Sequence, residues 1–92
     1  MARRKPQIGE RVTCRTPVEA YYSRYAGNPE CWFEPGDVGI VAEVDVPVVV
    51  NMTGHHFFSC VDFYKEGIPH NERHGGSPWR VGLYSDNMVI LR

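Results

Sequence analysis

"TPVEAYYSRYAGNP", residues Thr16–Pro29, decides how this chain is read, because its local signals and the rest of the sequence point to different kinds of structure. Thr16 followed three residues later by Glu19 spells a capping box, and Pro17 falls at the first helical position, where its missing N–H costs nothing. Gly27-Asn28-Pro29 is a stop signal. The spacing predicts a helix over 17–26. On it Val18, Tyr21, Tyr22 and Tyr25 form one stripe, while Glu19, Ser23 and Arg24 face away. A helix shorter than ~12–15 residues is marginal in water, so the stripe is expected to lie against the rest of the molecule. Cys31, Trp32 and Phe33 then pin the returning chain.

Outward from this segment every strong periodicity is that of a β-strand. In "ERVTCRT" Val12 and Cys14 share a face. In "DVGIVAEVDV", entered through the Pro35-Gly36 turn, Val38, Ile40, Ala42, Val44 and Val46 hold period two and read as the buried face, with Glu43 and Asp45 on the wet one. "FFSCVDF" sets Phe58, Cys60 and Asp62 against Phe57, Ser59, Val61 and Phe63. "WRVGLY" sets Trp79, Val81 and Leu83 against Arg80, Gly82 and Tyr84, and "MVILR" supplies a fifth strand after the "SDN" turn. The long connections are "PVVVNMTGHH" and the polar "YKEGIPHNERHGGSP".

The chain has 92 residues, 42% of them hydrophobic and 23% charged, which fits one globular domain over 1–92. "MARRKPQIG" carries positive charge with no apolar run behind it, so no secretory signal is read there. No stretch reaches the ~20 apolar residues of a membrane span, and a cytoplasmic location without membrane partners is expected. Cys14, Cys31 and Cys60 are an odd set with no close pairing, which argues for reduced thiols over a disulfide framework or structural zinc site. Small chains of this kind without motifs are typical of accessory genes of bacteria, phage or mobile elements.

"IGERV", "FEPGDVGIVAEVDVP" and "LYSDNMVIL" together resemble the strand, turn and 3₁₀-helix layout of SH3-like barrels, including the KOW branch associated with ribosomes and transcription. The resemblance covers most of the chain. It implies a mainly β protein, a small five-stranded SH3-like barrel, here with a short helix inserted in the first long loop. It departs from the peptide-binding branch in lacking an acidic first loop, and from the KOW branch in its net charge of −1.

For function, the residues favour a non-catalytic binding or interaction module. Tyr21, Tyr25 and Trp32 are expected to cover the open end of the barrel, while Tyr22, Tyr84 and Trp79 offer an aromatic surface to a protein partner. Val48, Val49 and Val50, beyond a proline that cannot donate to a ladder, read as an edge strand covered either by a second copy, giving a homodimer, or by a local fold-back. The alternative is a nucleic-acid-associated protein using Arg3, Arg4, Lys5 and Arg24, with Arg11 and Arg15, around tyrosines that stack on bases. A third class, a metal- or cysteine-dependent enzyme, has little to stand on. His55, His56, His70 and His74 lie in polar loops, and Cys31 is the one thiol placed for reactivity. No cofactor and no metal site are expected.

Overall fold

The computed structural model describes residues 5–25, 27–44, 57–70 and 77–91. The protein is mainly β. Its described strands are β1 (Arg11–Cys14), β2 (Val18–Glu19), β3 (Trp32–Phe33), β4 (Gly39–Val44), β5 (Phe58–Phe63), β6 (Trp79–Tyr84) and β7 (Met88–Ile90), with a 3₁₀ turn, Ser85–Asn87, before the last. Five of them form one sheet in the order β6-β5-β4-β1-β7, and β2 pairs with β3 in a separate ribbon. All pairings are antiparallel. The described strands therefore form an open sheet with β6 and β7 at its edges, not the closed barrel expected from the sequence.

β5 and β6 follow their alternation, except that Cys60 on the other face is buried too. They pair over six residues, from Phe58↔Tyr84 to Phe63↔Trp79, and Ser59, Val61, Phe63, Trp79, Val81 and Leu83 all point into the core. Burying the apolar side chains among them contributes about 1.5–3 kcal/mol each. Phe33 from β3 stacks on Phe63 with ring centroids 4.7 Å apart, which ties the small ribbon to the main sheet.

β4 lies where its period-two pattern places it, but its first half presents the opposite face. Gly39 and Val41 are inside, while Val38 and Ile40 are exposed at 42% and 43%. The register against β5 shifts between Val41 and Glu43. One extra residue there switches the face, so that Val44 packs against the core once more. Gly39 explains the choice of face: a Cβ at this position would run into Val61 and the Asp62 carbonyl, so the close approach of β5 and Phe33 demands glycine.

The helix expected over 17–26 is absent. Val18 and Glu19 pair with Phe33 and Trp32, Ala20 N–H donates to the Cys31 carbonyl at 3.0 Å, and Tyr21 N–H donates to the Arg80 carbonyl on β6 at 2.8 Å. The capping box is dismantled by Asn87. Its Oδ1 accepts from the backbone N–H groups of Arg15 and Thr16 and from the Thr16 hydroxyl, while its Nδ2 donates to the Thr16 carbonyl. Beyond β2 the chain reverses through turns in which Tyr22 and Arg24 hold left-handed backbone, φ 65° and 60°. Asn28, itself buried, donates from Nδ2 to the Tyr22 carbonyl at 2.9 Å. These tertiary bonds prevail because so short a helix has little stability of its own to oppose them.

Candidate functional site: an aromatic face beside a folded-back hairpin

The wet face of β5 and β6 carries Phe58, Cys60 and Asp62 on one strand and Arg80, Gly82 and Tyr84 on the other, cross-strand partners in register. Phe58 and Tyr84 meet edge to face with centroids 4.8 Å apart. Tyr21, carried in by the hairpin, lies over Gly82: a Cβ on that glycine would collide with the Phe58 ring and reach within 2.5 Å of the Tyr21 hydroxyl. The glycine in mid-strand thus creates the floor on which the two rings rest. The Tyr21 hydroxyl and the Cys60 thiol lie close enough to influence each other's ionisation. Burial pushes the ionisation of Tyr21 up, and proximity to Cys60 adds to it.

Next to these rings, Arg80 is clamped between two carboxylates. Its Nε meets Asp62 Oδ1 at 2.7 Å and its Nη1 meets Glu43 Oε2 at 2.9 Å. The Asp62 hydrogen bonds hold the guanidinium proton well above its ordinary affinity, against a smaller opposing effect of burial. The hairpin repeats the arrangement. Arg24 sits between Glu19 at 3.0 Å and Glu30 at 2.7 Å, and Glu30 also accepts from the Trp32 indole N–H at 2.7 Å. Lys65, on the connection after β5, lies 2.6 Å from both Glu34 and Asp37; burial lowers its proton affinity but the two carboxylates outweigh it, and the net shift is upward.

The residues singled out from the sequence are distributed unevenly over this surface. Tyr21 and Tyr84 are brought together, each 40% exposed. Tyr22 and Tyr25 form a second, tilted pair at the hairpin turn, centroids 6.2 Å apart and exposed at 55% and 66%. Tyr25 therefore covers nothing, contrary to its expected place over the end of the β-framework. Trp32 is half-buried on β3. Trp79, expected on the partner surface, is in the core at 1% exposure; its indole N–H donates to the Ile68 carbonyl at 3.0 Å and its ring stacks on His70 at 4.5 Å. The alternation around Phe58 fits either face, so the sequence alone does not single it out. Its place opposite Gly82 and Tyr84 follows only from the β5–β6 register.

Cys31 is fully buried, and burial pushes its thiol up to about 11, so the expectation of a reactive cysteine there is corrected. Cys14 and Cys60 are also buried, with thiols raised chiefly by burial. A thiol in such surroundings is a small hydrophobe. Of the basic residues, Arg24 is engaged by two carboxylates, Lys5, Arg11 and Arg15 are exposed, and Arg3 and Arg4 lie outside the described residues. Val48, Val49 and Val50, with His55, His56 and His74, also lie outside them. Among the described residues no group of three or more His, Cys, Asp or Glu is placed to hold a metal, and no helix is long and apolar enough to cross a membrane.

In comparisons with known proteins the chain matches no family model, no curated protein and no solved structure.

Proposed function

We propose that the chain is a non-catalytic binding module whose contact surface is the aromatic face of β5, β6 and the hairpin, centred on Tyr21, Phe58 and Tyr84, with Tyr22 and Tyr25 at its margin. The observation that carries this reading is the packing at Gly82. A six-residue strand pairing and an inserted glycine hold Tyr21 and Phe58 in fixed positions, yet large parts of the tyrosines remain open to solvent. Rigid, half-exposed aromatics provide anchor area at low entropic cost. The strand order β6-β5-β4-β1-β7 and the 3₁₀ turn before β7 support kinship with the SH3-like family in an open-sheet form, though fold kinship does not name a ligand. A second copy of the chain is among the partners this surface accommodates, which makes self-association part of the proposal.

The test is selection of binders from a phage-displayed random peptide library, followed by mapping of their contacts by chemical-shift changes and by a sedimentation series over protein concentration. Binders or a second copy should perturb Tyr21, Phe58 and Tyr84, and Tyr84→Ser should weaken them by about tenfold. Absence of any selected binder together with a monomer at every concentration, or binders that contact only the opposite side of the molecule, would remove the reading.

A further inference from the structure

On the basis of that reading, we infer that the partner presents a cationic segment, an extended stretch of protein bearing arginine or lysine, to the tyrosines of this face. Three times in the described structure one cation is enclosed by two carboxylates: Arg80 by Asp62 and Glu43, Arg24 by Glu19 and Glu30, Lys65 by Glu34 and Asp37. Each group carries one negative charge more than it neutralises. The Arg80 group shares the β5–β6 face with Tyr84 and Phe58, since Asp62 and Arg80 are cross-strand partners two residues along from Cys60 and Gly82. The Arg24 group lies on the hairpin that displays Tyr22 and Tyr25, both more than half exposed.

The charge surplus and the exposed tyrosines thus coincide, and both favour the same visitor. A guanidinium or ammonium is drawn to the negative face of a tyrosine ring and to a carboxylate whose second oxygen is open to solvent; Glu30 and Glu43 keep more than half of their side-chain surface exposed. The two arginines on this surface cannot serve an anion in the same way. Arg80 donates from three nitrogens to Asp62 and Glu43, and Arg24 donates to Glu30 with Glu19 against its Nε. A phosphate chain approaching either would meet two carboxylates around each cation. The partner is therefore a basic protein segment, and a nucleic acid is the outcome that would contradict it.

The experiment titrates the isotope-labelled protein with tetra-arginine, with tetra-glutamate and with a single-stranded oligonucleotide, following the ring resonances of Tyr21, Tyr22, Tyr25 and Tyr84. Tetra-arginine should shift them, with an affinity falling by about threefold or more between ~0.05 M and ~0.5 M salt. Glu43→Gln and Glu30→Gln, both at exposed positions, should each weaken it by about two- to fivefold, while an unchanged amide fingerprint shows that the variants are folded. Tetra-glutamate and the oligonucleotide should leave the rings untouched. The inference is overturned if tetra-arginine moves no tyrosine, if the glutamine variants bind it unchanged, or if either polyanion binds this face. The binding-module reading would survive each of those results, because library-selected binders without basic residues could still map to the same rings.

Discussion

Strands β5 and β6 and the hairpin between Thr16 and Pro29 both carry aromatic residues, yet they came to their structures by different routes. In β6 every residue agrees with its neighbours two positions away, and all six are paired with β5. Local pattern, register and burial say the same thing there. In the hairpin a capping box, a helix-starting proline and a helical stripe agree with one another and are all overruled, by Asn87, β3 and Arg80. Cooperation across a long register is what makes a local signal dependable. A ten-residue helix has no such reserve, so a few long-range hydrogen bonds redirect it.

This contrast sets different costs for changes in the two regions. The largest is expected in the sheet. Trp79→Ala leaves a cavity beside β5 and His70 and removes the donor from the part-buried Ile68 carbonyl contact, so a loss of about 3–5 kcal/mol is expected in chemical denaturation. A loss below about 1 kcal/mol would mean that this ring is not part of the core.

The thiols probe the seam where hairpin meets sheet. Cys31, Cys14 and Cys60 all have ionisation raised by burial, Cys31 from 9.0 to about 11. For Cys31 the unfolded chain releases the proton first, so the stability it preserves is complete below pH 9.0 and is lost as pH climbs toward about 11; Cys14 and Cys60 act in the same direction. Denaturation midpoints should fall across that window by an amount reaching about 2–3 kcal/mol for Cys31 alone. At neutral pH a thiol reagent should label the native protein slowly and the denatured protein fast. Rapid native labelling of Cys31 would contradict its burial.

Asn87→Ala isolates the hairpin from the sheet. It removes four hydrogen bonds to residues 15 and 16 while leaving the β5–β6 pairing alone. A global loss of about 1–2 kcal/mol is expected, in the range of a lost cap. Amide exchange should accelerate for 15–25 and stay unchanged for β5 and β6. Uniform acceleration in both regions would mean that the hairpin and the sheet open as one unit.

Much of the sheet was legible because alternation survives translation into structure. Val12 and Cys14, Ser59 to Phe63, and Trp79 to Leu83 take the faces that their spacing indicates. The exceptions have physical causes invisible to a count of apolar residues. Val38 and Ile40 outscore Gly39 and Val41 as an apolar pair, yet Gly39 is chosen for the inside because it lacks the atom that would strike Val61. The bulge after Val41 then restores the even-numbered face at Val44. Trp79 shares a face with Val81 and Leu83 and is buried with them, so alternation is a better guide to its place than its aromatic character. The candidate site was legible only in part. Tyr21 and Tyr84 were identifiable as aromatic, but Phe58 joins them through register, and the carboxylates around Arg80 come from strands far from it in the chain, while those around Arg24 meet it through the reversal of the hairpin.

The smallest effect is expected where the hairpin differs most from the sheet. Tyr25 is 66% exposed and its ring meets Tyr22 in a tilted contact at 6.2 Å, whereas on a helix it would have belonged to the stripe laid against the rest of the molecule. Tyr25→Ser should therefore change stability by less than about 0.5 kcal/mol. Its cost should appear in binding instead, because an exposed ring contributes nothing to a core but does supply area to a partner. If Tyr25→Ser destabilised the fold by as much as Trp79→Ala, residue 25 would have to be buried after all. The hairpin would then owe its form to the same packing as the sheet, and the distinction between the two regions would disappear.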